Sequence, residues 1–161
     1  MFKKILVPID LSGGGKWALA TALELAQRSR ARVTLIHVIH RLAGVQPGEF
    51  RDFYQRLLRM SDRKLKRAAG PFAAGDLSVR TEVCIGEPVT EIVRAAAKND
   101  IDLIVMGSHT VDPTRPSRGW GTISYRVSLL CPCPVLLVKR SDSVLRPKGP
   151  IPRRRRATKP R

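Results

Sequence analysis

Residues 4–16 read Lys4-Ile5-Leu6-Val7-Pro8-Ile9-Asp10-Leu11-Ser12-Gly13-Gly14-Gly15-Lys16. A short run rich in branched apolar side chains, long enough for one buried strand, gives way at Asp10 to a polar, glycine-rich turn. Trp17, Ala20, Leu23 and Ala26 then recur at helical spacing, which predicts a helix with that apolar stripe. A strand, a tight turn and a helix in this order are the opening unit of a βαβ crossover.

The unit repeats along the chain. Arg32 to Ile39, Leu77 to Ile85, Ile101 to Met106 and Pro134 to Val138 read as four further strands. Phe50 to Ala69 reads as an amphipathic surface helix carrying Phe53, Leu57, Leu58 and Leu65 among many basic residues. Val89, Ile92, Val93 and Ala96 mark another helix, and Tyr125 to Leu130 a last one, ended by Pro132. Alternating strands and helices predict an α/β fold, a five-stranded parallel sheet with helices on both faces.

The 161 residues suit one domain. With 43% hydrophobic and 27% charged residues the chain has material for a packed core, unlike a disordered polymer. No apolar run reaches the roughly 18 to 20 residues of a membrane-spanning helix, and the stretch after Met1-Phe2-Lys3-Lys4 is too short for a signal peptide. Three cysteines, Cys84, Cys131 and Cys133, do not suggest a disulfide framework, so a cytoplasmic location is expected.

The net charge is +17, of which residues 141–161 hold +7 and residues 1–140 hold +10. Arg146-Pro-Lys-Gly-Pro-Ile-Pro-Arg-Arg-Arg-Arg156 combines helix-breaking prolines with like charges. The expected division is therefore a folded domain over 1–140 and a disordered basic tail over 141–161. Such a tail favours non-specific polyanion contact, and without interleaved aromatics it offers no base stacking.

In a doubly wound sheet, ligands meet the carboxyl ends of the strands where the strand order reverses. The first such end excludes a P-loop, because Asp10 and Trp17 stand where glycine and a hydroxyl would be required. Gly13-Gly14-Gly15-Lys16-Trp17-Ala18 fits the dinucleotide pattern G-x-G-x-x-A, but the second strand ends in His37-Val38-Ile39-His40, with no acid for a ribose. After the fourth strand, Met106-Gly107-Ser108-His109-Thr110 and a loop holding Pro113, Pro116, Gly119 and Gly121 lead to a helix starting near Thr122. Free N–H groups at such a helix start attract phosphate. His37 reads as a core or strand-end histidine, His109 lacks an evident catalytic partner, and Asp100 and Asp102 lie at the wrong end of their strand. No catalytic triad or metal set emerges, so an enzyme is not expected. Cys131-Pro132-Cys133 lacks C-x-x-C spacing and reads as small apolar residues.

Several motifs at consistent spacing resemble the universal stress protein family: Lys4-Ile-Leu-Val-Pro-Ile-Asp10, Leu35-Ile-His-Val38, Gly86-Glu-Pro-Val-Thr-Glu-Ile92, Asp102-Leu-Ile-Val-Met-Gly-Ser-His109 and Cys133-Pro-Val-Leu-Leu-Val138. The resemblance covers residues 2–139. It implies a Rossmann-like sheet in the order 3-2-1-4-5 and an ATP site with Mg²⁺. In that site Asp10 and the Val38 backbone meet the adenosine, and Gly107, Gly121 and Thr122 meet the phosphates. Pro8, Ile9, Met106, His109, Thr110 and Ile123 complete the nucleotide-binding set. The family's ATP-binding pattern is Gly-x2-Gly-x9-Gly-Ser/Thr; this chain has Thr110 at the second glycine and a gap one residue longer. A Cβ at Thr110 and the prolines at 113 and 116 work against phosphate binding, while Arg115 and Arg118 add compensating charge.

Three functions stay open on the sequence: a nucleotide-binding stress or signalling module, a dimeric module that binds an unidentified protein partner without nucleotide, and a polyanion binder. In the implied order the apolar last strand, Val135, Leu136, Leu137 and Val138, lies at a sheet edge. Such an edge needs cover, which predicts a homodimer through that strand.

Overall fold

The computed structural model describes residues 1–13, 15–41, 50–108 and 121–139. Its elements follow the chain as β1 (Lys4–Pro8), α1 (Lys16–Ser29), β2 (Arg32–His40), α2 (Arg51–Ala74), β3 (Val79–Gly86), α3 (Pro88–Lys98), β4 (Leu103–Gly107), α4 (Ile123–Leu130) and β5 (Val135–Val138). All five strands are parallel in one sheet ordered β3-β2-β1-β4-β5. Both the α/β class and the strand order expected above are observed. The expected tail, 141–161, lies outside the described residues.

Each central strand is buried on both faces and sends alternate side chains to two cores. Ile5 and Val7 of β1, Val33 and Leu35 of β2, and Leu103 and Val105 of β4 meet α1 and α2 in one core. Leu6, Ile36, Ile104 and Met106 meet α3 and α4 in the other. Asp102 ties the amino ends of β1 and β4 together, its carboxylate accepting from the Lys3 and Lys4 N–H groups at 2.7 and 3.1 Å. That placement fits its exclusion from the ligand end.

Two helices differ from their expected faces. The stripe of α1 that reaches the sheet is Ala18, Ala22 and Ala26; Ala20 is exposed and Trp17 only half-buried. Spacing alone does not distinguish the two stripes, and close packing against the sheet favours the one made wholly of alanine. α2 runs five residues past the expected end at Ala69, through Pro71, because the fully buried Phe72 anchors its last turn. Burying that ring contributes about 2 to 3 kcal/mol, comparable to the cost of an interior proline. At the other end of α2, Phe53 is 46% exposed, and the buried residues are Ser61, Leu65, Ala69 and Phe72.

Candidate functional site

The strand order reverses between β1 and β4, and the carboxyl ends of these strands are where a ligand site is sought. Beyond β1, the Ile9 N–H donates to the Ile36 carbonyl at 2.9 Å. His37 Nδ1 lies 2.7 Å from the Ile9 carbonyl oxygen, which can only accept, so the ring donates from Nδ1. The histidine, inside β2, thus ties that strand to the end of β1. Asp10 is exposed, and its carboxylate accepts from the Ser12 N–H at 3.0 Å and the Ser12 hydroxyl at 2.7 Å. These bonds close a turn in which Leu11 has φ +59° and Gly13 φ +86°. A left-handed leucine costs about 1 to 2 kcal/mol, so the turn holds strain beside the strand end. α1 then begins at Gly15 with no side-chain cap and no acid in its first turn. The Lys16 ammonium lies 5.0 Å from the Trp17 ring centre.

The end of β4 is furnished differently. Ser108 donates its N–H to the Val138 carbonyl at 2.9 Å, fixing it against the end of β5. Its hydroxyl accepts from the Lys139 ammonium at 3.1 Å and from the Ser124 hydroxyl at 3.5 Å. Ser124 lies 3.3 Å from the Thr122 hydroxyl, and Thr122 caps α4 by accepting from the Tyr125 N–H at 3.3 Å. Three hydroxyls and one ammonium therefore meet at the start of a helix with no acid in its first turn. Hydroxyl donors, a cation and the positive end of a helix dipole suit an oxyanion. Gly107 is exposed at the strand end, and a Cβ added to Gly121 would have nothing within 4 Å. Space is thus left for a ligand against the backbone at Gly121.

Pro8 closes β1, Ile9 is buried behind it, and Val38 is half-buried on β2. Met106 is 5% exposed and packs in the α3–α4 core, while Ile123, the first residue of α4, is 44% exposed. His109 and Thr110 lie outside the described residues, as do Pro113, Arg115, Pro116, Arg118 and Gly119. Sequence reasoning did not single out Ser108, Ser124 or Lys139. The available signal was position: a hydroxyl or a cation one residue past β4 and β5, and a serine in the first turn of α4.

Two concavities flank these ends. One, about 320 Å³, lies between the β1–α1 turn and α2, lined by Ile9, Leu11 and Leu19 with Lys16, Lys64 and Arg67 among its polar walls. The other, about 520 Å³, lies at the carboxyl ends of β2 and β3 and includes His40, Arg41, Glu87, Glu91 and Arg94. There Glu87 caps α3, accepting from the Thr90 N–H at 2.8 Å, and this bond holds its carboxyl below the usual carboxylate range. Neither concavity is lined by the Ser108–Thr122–Ser124–Lys139 cluster. We place the site at the cluster, because donor chemistry is a better guide to an oxyanion than the size of a hollow. Among the described residues no group of three or more His, Cys, Asp or Glu side chains could hold a metal, and no helix could cross a membrane.

Sheet order and helix placement together define a doubly wound α/β module of the Rossmann-like kind, with a candidate polar site beyond the carboxyl end of β4. The chain belongs to the universal stress protein family, whose model matches residues 1–139. It is 32% identical over 149 residues to the universal stress protein YxiE of Bacillus subtilis, covering 86% of this chain and 100% of that one. Among solved structures it is similar to the universal stress protein UspA from Lactobacillus plantarum, with a TM-score of 0.68 at 27% identity, covering 85% and 97% of the two chains. It is also similar to the Methanocaldococcus jannaschii protein MJ0577, with a TM-score of 0.70 at 27% identity over 89% and 99%.

Proposed function

We propose that this chain binds an adenine nucleotide across the ends of β1 and β4 and acts through that binding and through self-pairing, without covalent chemistry of its own. The observation that carries the reading is the cluster of Ser108, Thr122, Ser124 and Lys139 at the start of α4. Its hydroxyls and ammonium fit phosphate oxygens, with Gly107 and Gly121 giving backbone access. Asp10 and the Val38 backbone serve the adenosine; Pro8, Ile9, Met106, His109, Thr110 and Ile123 form the rest of the wall. ATP is the nucleotide we favour, with Mg²⁺ bound through its phosphates. Family structures with cAMP, dAMP or AMP bound, at 18%, 20% and 24% identity, are in line with this ligand class. The test is acid extraction of the purified protein for adenine nucleotide, followed by titration of stripped protein with ATP and Mg²⁺. Absence of binding in both would leave the nucleotide-free dimeric module, working in the cytoplasm on a protein partner, as the function.

Self-pairing rests on a separate observation. Within the described sheet β5 pairs with β4 alone, and Leu136 on it is 39% exposed. Leu129 and Leu130 of α4 are 65% and 60% exposed. A second copy pairing antiparallel along β5 would cover this edge and give a two-fold homodimer. Val135 and Leu137 pack inward against the α3–α4 core, so charges there would also damage the fold. Leu136→Lys is the cleaner probe: light scattering should show a folded monomer, and an unchanged dimer would refute the edge. Polyanion contact is assigned to residues 141–161; their removal should reduce the salt-dependent retention on heparin.

A further inference from the structure

We propose that Cys131 and Cys133 form a dithiol modification site, which a low-molecular-weight disulfide oxidises to a bridge within the chain. α4 ends at Leu130, and Cys131 caps it with extended backbone, its N–H donating to the Val127 carbonyl at 2.9 Å. The chain then bends at Pro132 and Cys133 before β5 begins. The bend brings the two Sγ atoms to 3.4 Å, with one thiol donating to the other. Both cysteines are free thiols, half-buried against the α3–α4 core.

A disulfide bond is about 2.05 Å long, so closure needs about 1.4 Å of approach. Pro132 fixes its own φ, which removes one backbone rotation from those that must be frozen when the sulfurs join. Groups held in contact in this way react as though at very high local concentration.

The chemistry balances as two exchanges. One of the two cysteines, as its thiolate, attacks one sulfur of the oxidant, whose S–S bond breaks and releases one thiolate. The other cysteine then gives its proton to solvent and attacks the Sγ of the first, expelling the second small thiol as its thiolate, which takes up a proton. Two protein thiols become one disulfide while one small disulfide becomes two thiols. Burial, helped by its hydrogen bond with Cys131, raises the Cys133 pKa above that of an ordinary thiol. Cys84 on β3 is an internal control, its pKa raised to about 11 by burial and then by Glu91 and Glu82.

The experiment uses the full chain in mixtures of oxidised and reduced glutathione, acid-quenched and read by intact and peptide mass. Native protein should lose the mass of two hydrogens, with the bridge mapped to residues 131 and 133, restored by dithiothreitol, and with Cys84 unmodified. Its equilibrium constant for closure should exceed that of the urea-unfolded chain by about tenfold or more. Cys133→Ser and Cys131→Ser should each form no bridge and stop at a glutathione adduct on the remaining thiol. A wild-type protein that stops at the adduct, bridges between chains, or closes equally well in urea would overturn the proposal.

Discussion

Two strand-to-helix connections leave the same end of the sheet, and they are built in opposite ways. The β1–α1 turn has the glycines and a lysine, yet its helix starts without a side-chain cap, and its polar groups largely serve one another, as Asp10 and Ser12 do. The β4–α4–β5 corner has as many glycines among its described residues, Gly107 and Gly121 against Gly13 and Gly15, but it also has a capped helix, three hydroxyls and an ammonium. A glycine-rich string therefore marks where the backbone must turn tightly, whereas donors gathered at a helix start mark where an anion can rest.

The largest expected effect separates the two corners at once. Gly121→Val should abolish ATP binding in calorimetry by filling the space left for phosphate. A Cβ there meets nothing within 4 Å. Melting should therefore move by no more than about 0.5 kcal/mol, as for an uncrowded surface change. Loss of fold in this variant would show that Gly121 serves the chain and not a ligand.

Lys139→Met should come next, weakening ATP by about tenfold through loss of a charged donor, with adenosine unaffected. Equal losses for ATP and adenosine would move the lysine away from the phosphates. Thr122→Ala should cost about 1 kcal/mol of stability, as removal of a helix cap does, and weaken ATP by a smaller factor than Lys139→Met. Denaturant melts with parallel titrations separate these two consequences.

The smallest effect on binding is expected in the other corner. Gly13→Ala places a Cβ at φ +86°, which should cost about 1 kcal/mol of stability through strain alone. ATP affinity should stay within about twofold of wild type if the phosphates rest on α4. A large loss of affinity would transfer them to the β1–α1 turn.

The fold was legible because its signals are redundant: five apolar strands separated by helical patterns admit few arrangements, and each supports the others. Boundaries were less so. The end of α2 was missed because Gly70-Pro71 is a strong local stop signal, and only the core that receives Phe72 overrides it. The face of α1 was missed because spacing gives a period and leaves its phase open where alanines lie on several sides. In the site, Gly107, Gly121 and Thr122 came from motif resemblance. Ser108, Ser124 and Lys139 come together only through the β4–β5 pairing and the position of α4, long-range facts that a linear pattern does not express. The contact between Cys131 and Cys133 depends on a local bend that residue spacing alone does not reveal.

The most direct test of a phosphate site at the start of α4 is calorimetric titration of nucleotide-stripped wild-type protein with ATP and, separately, with adenosine. The account predicts that ATP binds about tenfold or more tighter than adenosine, and that the gap closes in Lys139→Met. Equal affinity for the two ligands, or no heat with ATP at high micromolar protein, would contradict it.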